Sequence, residues 1–275
     1  KNEVYRSEGN VYGGAIYISD SILTIEDSYF DGNSGNFLTK VYNYLSSYGG
    51  SIFSINTNGS ITNCHFTHNV INTSRVDGKL DGGVPVSYGG AICFSGSNFV
   101  IQHCLFFGNI ATGVGSYIDC QCYGGAIHCQ KDSLIDFKRC NFTNNLIFES
   151  GPKFYFMHSL YGSAVNMDQS EGIFCECDFY NNSAYGEAYI QINGLYAGAA
   201  IVGSSNFNFS KCNFYNNSAL VYASGYTFPG CNGGAISCYQ MLKCDSCSFI
   251  KNKAYYSDDS RDVFGGAVCC NGGMF

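Results

Sequence analysis

The chain repeats itself, and a repeat of a few tens of residues decides the class of fold before any single residue is weighed. Gly-Gly-Ala-Ile occurs at Gly13, Gly89, Gly124 and Gly233, with the variants Gly-Gly-Ser-Ile at Gly49, Gly-Ser-Ala-Val at Gly162, Gly-Ala-Ala-Ile at Gly198 and Gly-Gly-Ala-Val at Gly265. The first glycines stand 32 to 40 residues apart. A second motif, Phe-x-x-Asn, follows each of the first seven: Phe30/Asn33, Phe66/Asn69, Phe106/Asn109, Phe142/Asn145, Phe179/Asn182, Phe214/Asn217 and Phe249/Asn252. The step from first Gly to Phe is held to 16 to 18 positions, while 12 to 19 residues separate each Asn from the next Gly. A constant half and a variable half describe a packed core with loops.

A helical repeat would show apolar spacing near 3.6 and would not carry paired glycines in every unit. Here the apolar residues alternate instead: Ile16 and Ile18 share one parity, Tyr17 takes the other, and Leu23 and Ile25 continue as a second short strand. Strands this short cannot bury a face alone and must stack on copies of themselves. The expected fold is all-β, a right-handed parallel β-helix forming one solenoid over 1–275. About seven full coils and a partial eighth begin near 12, 48, 88, 123, 161, 197, 232 and 264, and the chain reads as a piece of a longer repeat protein.

In a solenoid each repeat position becomes a ladder. Ile16, Ile52, Ile92, Ile127, Val165, Ile201, Ile236 and Val268 form a β-branched one suited to a buried strand. The Phe residues stack at an inner corner. The Asn residues pass amide hydrogen bonds from coil to coil, and the glycines allow a tight turn with close backbone approach.

Gly-Gly-Ala-Ile paired with Phe-x-x-Asn resembles the repeats of chlamydial polymorphic outer-membrane proteins and of similar surface proteins of some protists. The resemblance runs from Tyr12 to Phe275. It implies the exported part of a surface protein, commonly an autotransporter passenger, with a role in adhesion. The inter-motif segments here are long and Tyr-rich, and these residues show no β-barrel segment. Membrane attachment is therefore expected only through parts outside this chain.

The 16 cysteines admit several readings. Cys64, Cys104, Cys140, Cys177, Cys212 and Cys247 each precede the motif Phe by two positions, with Ser28 in that place in the first coil, so their parity points inward. They fit a ladder of buried thiols, disulfides between neighbouring coils, or a metal site; for the last, Cys120-x-Cys122, Cys175-x-Cys177 and Cys244-x-x-Cys247 lack a matched second pair. Cys129, Cys238 and Cys270 form a further inward set, while Cys93 and Cys269 should point outward. Cys93 beside His128 of the next coil reads as a solvated pair, with a small polar site as the alternative.

Net charge is −7 with 13% charged residues, which argues against nucleic-acid binding. No apolar run approaches the roughly 18 residues of a membrane span. Polysaccharide lyases and glycosidases also use β-helices, but they gather carboxylates and a base on one face. Arg6, Arg75, Arg139 and Arg261 are scattered, Asp258-Asp259 reads as a solvated loop, Asp31-Gly32-Asn33 lacks the rest of a calcium loop, and His65, His68, His103, His128 and His158 share no repeat position. No enzyme activity, cofactor or metal is expected.

The sequons at Asn58, Asn72, Asn141, Asn181, Asn208 and Asn216 are possible N-glycosylation sites and accord with an extracellular or cell-surface protein. The variable segments, roughly 34–48, 70–88, 110–123, 146–161, 183–197, 218–232 and 253–264, leave one corner of the coil. They carry Tyr42, Tyr44, Tyr117, Phe154, Tyr155, Phe156, Tyr185, Tyr189, Tyr222, Tyr226, Tyr255 and Tyr256. Tyr-rich loops on a rigid scaffold suit a protein or glycan partner; alternatively these aromatics fold back over the rod and extend its core, since part of each segment must form the third strand of the coil. The expected function is a non-catalytic adhesin or interaction scaffold, with end-to-end self-assembly into a filament or coat as the alternative.

Overall fold

The structure is a computed structural model. It describes the chain outside residues 7–8, 40–45, 76–83, 116–120, 151–158, 189–192, 198–200, 204–205, 224–227, 257–262 and 271–275. A full repeat contributes five short strands. In the repeat that begins at Gly89 these are Ile92–Ser95, Asn98–Gln102, Leu105–Phe107, Ile110–Gly115 and Gln121–Tyr123. Each pairs in parallel, in register, with its equivalent in the following repeat. Five sheets run along the axis in consequence.

The first sheet has eight strands, from Ile16–Ser19 to Val268–Cys270, and the second and third have seven each. The fourth has eight, from Glu3–Arg6 to Lys253–Tyr256. The fifth is divided: five strands end at Ser159–Tyr161, and three more start at Asn193–Ala197. No helix occurs among the described residues. The architecture is the parallel β-solenoid that the repeat predicts.

The first three sheets enclose the main core. The β-branched column at Ile52, Ile92, Ile127, Val165, Ile201 and Ile236 is fully buried. Phe30, Phe66, Phe106, Phe142, Phe179, Phe214 and Phe249 form one continuous stack, with ring centroids 4.7 to 5.0 Å apart and planes within 7°. The near-parallel rings follow from the register: side chains at one repeat position have nowhere to go but onto each other.

Three corners of the coil use one device with three different residues. The backbone N–H of the corner residue donates to the side chain of its equivalent in the next coil. Ser97 N–H reaches Ser133 Oγ at 3.1 Å, Cys64 N–H reaches Cys104 Sγ at 3.4 Å, and Asn69 N–H reaches Asn109 Oδ1 at 3.1 Å. Each corner residue follows one in the left-handed region: Gly96 at φ 58°, Asn63 at φ 53° and His68 at φ 53°. A bend that sharp leaves the next N–H without a ladder partner, and the stacked side chain supplies one.

The two sequence motifs meet in space. Asn33 Nδ2 donates to Ser51 Oγ at 3.1 Å, and Ser51 Oγ donates to Asn69 Oδ1 at 2.7 Å. A Cβ on Gly50 would stand 2.0 Å from the Gly90 carbonyl oxygen and 2.8 Å from Val70 backbone, so only glycine fits. Here the first three strands of a coil close on themselves into a rod. Beyond this neck the chain continues as the fourth and fifth strands.

The variable segments hold two strands in each coil, where the sequence suggests one. Their openings are the strands of the fourth sheet and their ends those of the fifth, as with Val70–Arg75 and Val86–Tyr88. These two sheets share a second, smaller core: Ile71, Ala111, Ile147, Ala184, Ala219 and Tyr256 against Cys122 and Leu160. A two-layered fin therefore runs along the rod.

Candidate binding groove

The fifth strand ends on Tyr in each of the first five repeats, immediately before the Gly pair: Tyr12, Tyr48, Tyr88, Tyr123 and Tyr161. In-register pairing brings these rings into a stack, with centroids 5.2, 4.9, 5.1 and 5.0 Å apart and planes within 16°. The glycine following each Tyr, at φ 57° to 71°, turns the chain sharply into the first sheet. The rings consequently lie over the outward face of that sheet. Tyr48 sits 5.1 Å from Phe53, and Tyr88 sits 4.7 Å from His128.

This cover corrects one expectation. Cys93 and His128 do pair across the first sheet on its outward face, but they are not solvated: Cys93 is 0% and His128 1% exposed. Cys269, also on that face, is buried as well. Residue parity separates the two faces of a strand, yet it carries no information on what lies against the outer one.

Burial sets the chemistry of the groove. It holds His128 down to a pKa of about 3, so the imidazole is neutral at physiological pH. Asn166 Nδ2 donates to His128 Nδ1 at 3.0 Å, which places the ring proton on Nε2, facing Gln130 Oε1 at 3.4 Å. Burial likewise raises Tyr48, Tyr88 and Tyr123 above the ordinary phenol range and Cys93 far above the ordinary thiol range. The groove presents stacked phenols at the coil spacing over Phe53, Cys93, the neutral His128 and Asn166, with the Asp168 carboxylate beside them. The phenols and the neutral imidazole offer hydrogen bonds to a partner group.

A pocket of about 330 Å³ opens in this groove, lined among others by Tyr123, Tyr161, Asn166, Asp168, Val202 and Tyr239. It lies where the fifth sheet divides, one repeat before Ala197 takes the Tyr position. A second pocket, of about 390 Å³, brings Asp132, Glu171, Asn206 and Gln240 together at the corner between the first and second sheets. That pairing of carboxylates from neighbouring coils is invisible in a linear reading, because it depends on which coils stack.

The remaining sequence-derived residues fall as follows. Asn33, Asn69, Asn109, Asn145, Asn182, Asn217 and Asn252 form one hydrogen-bonded ladder at the neck. Within it Asn109 Nδ2 donates both to Asn145 Oδ1 at 3.0 Å and to the Phe66 carbonyl at 2.8 Å. Cys64, Cys104, Cys140, Cys177 and Cys212 are buried thiols, each directed at carbonyls of its own and the preceding coil. Cys247 continues the ladder half-buried. Burial pushes Cys140 up to about 12, and Cys177 and Cys212 are raised chiefly by hydrogen bonding to the neighbouring thiol. In the first coil Ser28 Oγ donates to the Glu26 carbonyl, as the thiols do to theirs.

Asp31 accepts from Thr67 at 2.6 Å and contacts His68 at 3.2 Å, so it serves a coil-to-coil contact. Among the described residues no three His, Cys, Asp or Glu side chains gather as a metal site. Asn58, Asn141, Asn181, Asn208 and Asn216 are exposed and Asn72 is half-buried. Asn181 Nδ2 already donates to Asn144 Oδ1 at 2.7 Å, and glycosylation would leave that nitrogen a single N–H. Of the fin aromatics, Tyr185, Tyr255 and Tyr256 lie in strands of the fourth sheet, as does the backbone of Tyr222. Tyr42, Tyr44, Tyr117, Phe154, Tyr155, Phe156, Tyr189 and Tyr226 lie outside the described residues, as do His158, Asp258-Asp259 and Arg261.

The fold defines the class, a parallel β-solenoid repeat protein. Residues 103–130 and 211–239 match the Chlamydia polymorphic membrane protein (Chlamydia_PMP) repeat, the family that the Gly-Gly-Ala-Ile and Phe-x-x-Asn motifs resemble. Each matched stretch runs from a Phe-x-x-Asn through the fin to the next glycine motif, spanning the two halves of the neck. No curated protein and no solved structure matches the chain.

Proposed function

We propose that this chain is the non-catalytic, extracellular part of a cell-surface adhesin or interaction scaffold. Its rod acts as a spacer, and the angle between rod and fin receives a protein or glycan partner. The observation that carries this reading is the stack of half-buried Tyr residues along the groove. Aromatic groups with a polar tip, held rigid by their neighbours, lose little conformational entropy when a partner docks.

The test is binding of the biotinylated chain to a panel of oligosaccharides and extracellular-matrix peptides. Replacing Tyr88 and Tyr123 together by Ala is expected to weaken a bound probe tenfold or more. The double change Tyr180→Ala with Tyr215→Ala, a stacked pair on the outer face of the third sheet with Tyr180 exposed and Tyr215 half-buried, is expected to leave it unchanged. Equal loss in both doubles would contradict the groove, cleavage of an oligosaccharide would restore the enzyme reading, and concentration-dependent rod growth would favour the filament.

A further inference from the structure

We propose that Cys238 and Cys270 are a redox-active pair that closes into a disulfide between two neighbouring coils, while the stacked cysteine ladder stays reduced. The two residues are direct partners in the parallel pairing of Ile236–Cys238 with Val268–Cys270, and each ends its strand. Their sulfurs stand 2.8 Å apart, against about 2.0 Å in a disulfide. A small movement at two strand ends completes the bond.

Position separates this pair from the other thiols. In Cys64, Cys104, Cys140, Cys177 and Cys212 the sulfur follows a bend and is held by carbonyls on its own and the preceding coil, deep in the core. Cys129 shares the column of Cys238, but its neighbours there are Phe94 and Met167. Cys238 and Cys270 occupy consecutive coils of that column. Cys270 is only half-buried, and both sulfurs border the Gln240 carbonyl, at 3.9 and 3.3 Å.

The step needs an oxidant, and a small disulfide such as oxidised glutathione supplies it. Cys270, the more accessible thiol, loses its proton, attacks one sulfur of that disulfide and expels a thiolate, forming a mixed disulfide. Cys238 then loses its proton and attacks the Cys270 sulfur, releasing the second thiolate. The pair gives up two electrons and two protons, and the oxidant becomes two thiols. Burial and the adjacent Cys270 raise the Cys238 thiol, which fits its acting second.

The experiment uses the full chain, reduced, exposed natively to oxidised glutathione, then denatured with alkylation of every remaining thiol. Peptide mapping with fragmentation is expected to show Cys238 joined to Cys270, lighter by two hydrogens, with the five buried ladder cysteines alkylated. In Cys238→Ser the glutathione adduct should persist on Cys270, whereas Cys269→Ser should still form the cross-link. Recovery of Cys238 and Cys270 both alkylated would overturn the proposal. So would pairing of Cys270 with Cys244 or Cys269, or cross-links within the ladder. The wild-type map alone decides the matter if a variant fails to fold.

Discussion

Rod and fin are built from the same coils and stabilised in different ways. The rod interior is large and apolar: Phe66, Phe106, Phe142 and Phe179 are fully buried in one stack, with the Ile column beside them. The fin interior is small and partly polar. Ser87 Oγ donates to Thr112 O at 2.7 Å and pairs with Thr73 Oγ1 at 2.9 Å, while Ala111 and Ala184 fill the space Phe occupies in the rod. Ser47 Oγ has no partner among the described residues. The rod has the material of a stable scaffold, whereas the fin buries less apolar surface per strand. Variation in length is greatest in the fin half of the repeat for the same reason, since few packing contacts constrain it.

The sharpest way to probe this contrast is to empty the rod. Phe106→Ala removes one ring from the middle of the stack and is expected to cost roughly 3–5 kcal/mol, read as a fall in the denaturation midpoint. Asn109→Ala at the neck should follow closely, at roughly 3 kcal/mol. It deprives the Asn69 N–H and Nδ2 of their acceptor and the Phe66 carbonyl of its donor. Asn109→Asp, which keeps the acceptor, should recover part of that loss.

A pH titration probes the junction between the two regions. The folded state holds His128 neutral down to about pH 3, while the unfolded chain takes up a proton near pH 6.5. The folded pKa is depressed for a base, so stability is complete above about 6.5 and declines as pH falls, by up to about 1.4 kcal/mol per unit. The groups around the ring, Cys93, Tyr88, Tyr123 and Asn166, stay uncharged over that range. Between pH 7 and pH 5 a loss of up to about 2 kcal/mol is expected, and His128→Asn should abolish it. The smallest effect belongs to the fin: Ser87→Ala should cost about 1 kcal/mol by the same denaturation assay.

Much of the rod could be read from the chain because its parts recur at constant spacing. Phe, Asn, Gly and the inward Cys fall into ladders wherever coils stack in register, and the register follows from the repeat. The fin could not be read in the same way. Its facing residues mix small ones such as Gly35, Ala111 and Ser87 with larger ones such as Ile71 and Leu160 and do not recur as one type, so the sequence predicts only one of its two strands. Three corner residues in the left-handed region, Arg139, Glu176 and Lys211, carry no local preference for it and are held there by the corner. The Tyr column of the groove did have a signal, a Tyr before each of the first five glycine motifs. Its meaning required knowing that the chain turns there against its own outer face.

Native-state hydrogen exchange tests the division of rod from fin most directly. In the repeat at Gly89 the amides of Ile92–Ser95, Asn98–Gln102 and Leu105–Phe107 should exchange only with global unfolding, at one common slow rate. Those of Ile110–Gly115 and Gln121–Tyr123 should open earlier, as a separate group. A single exchange class across all five strands, or a fin slower than the rod, would contradict the account.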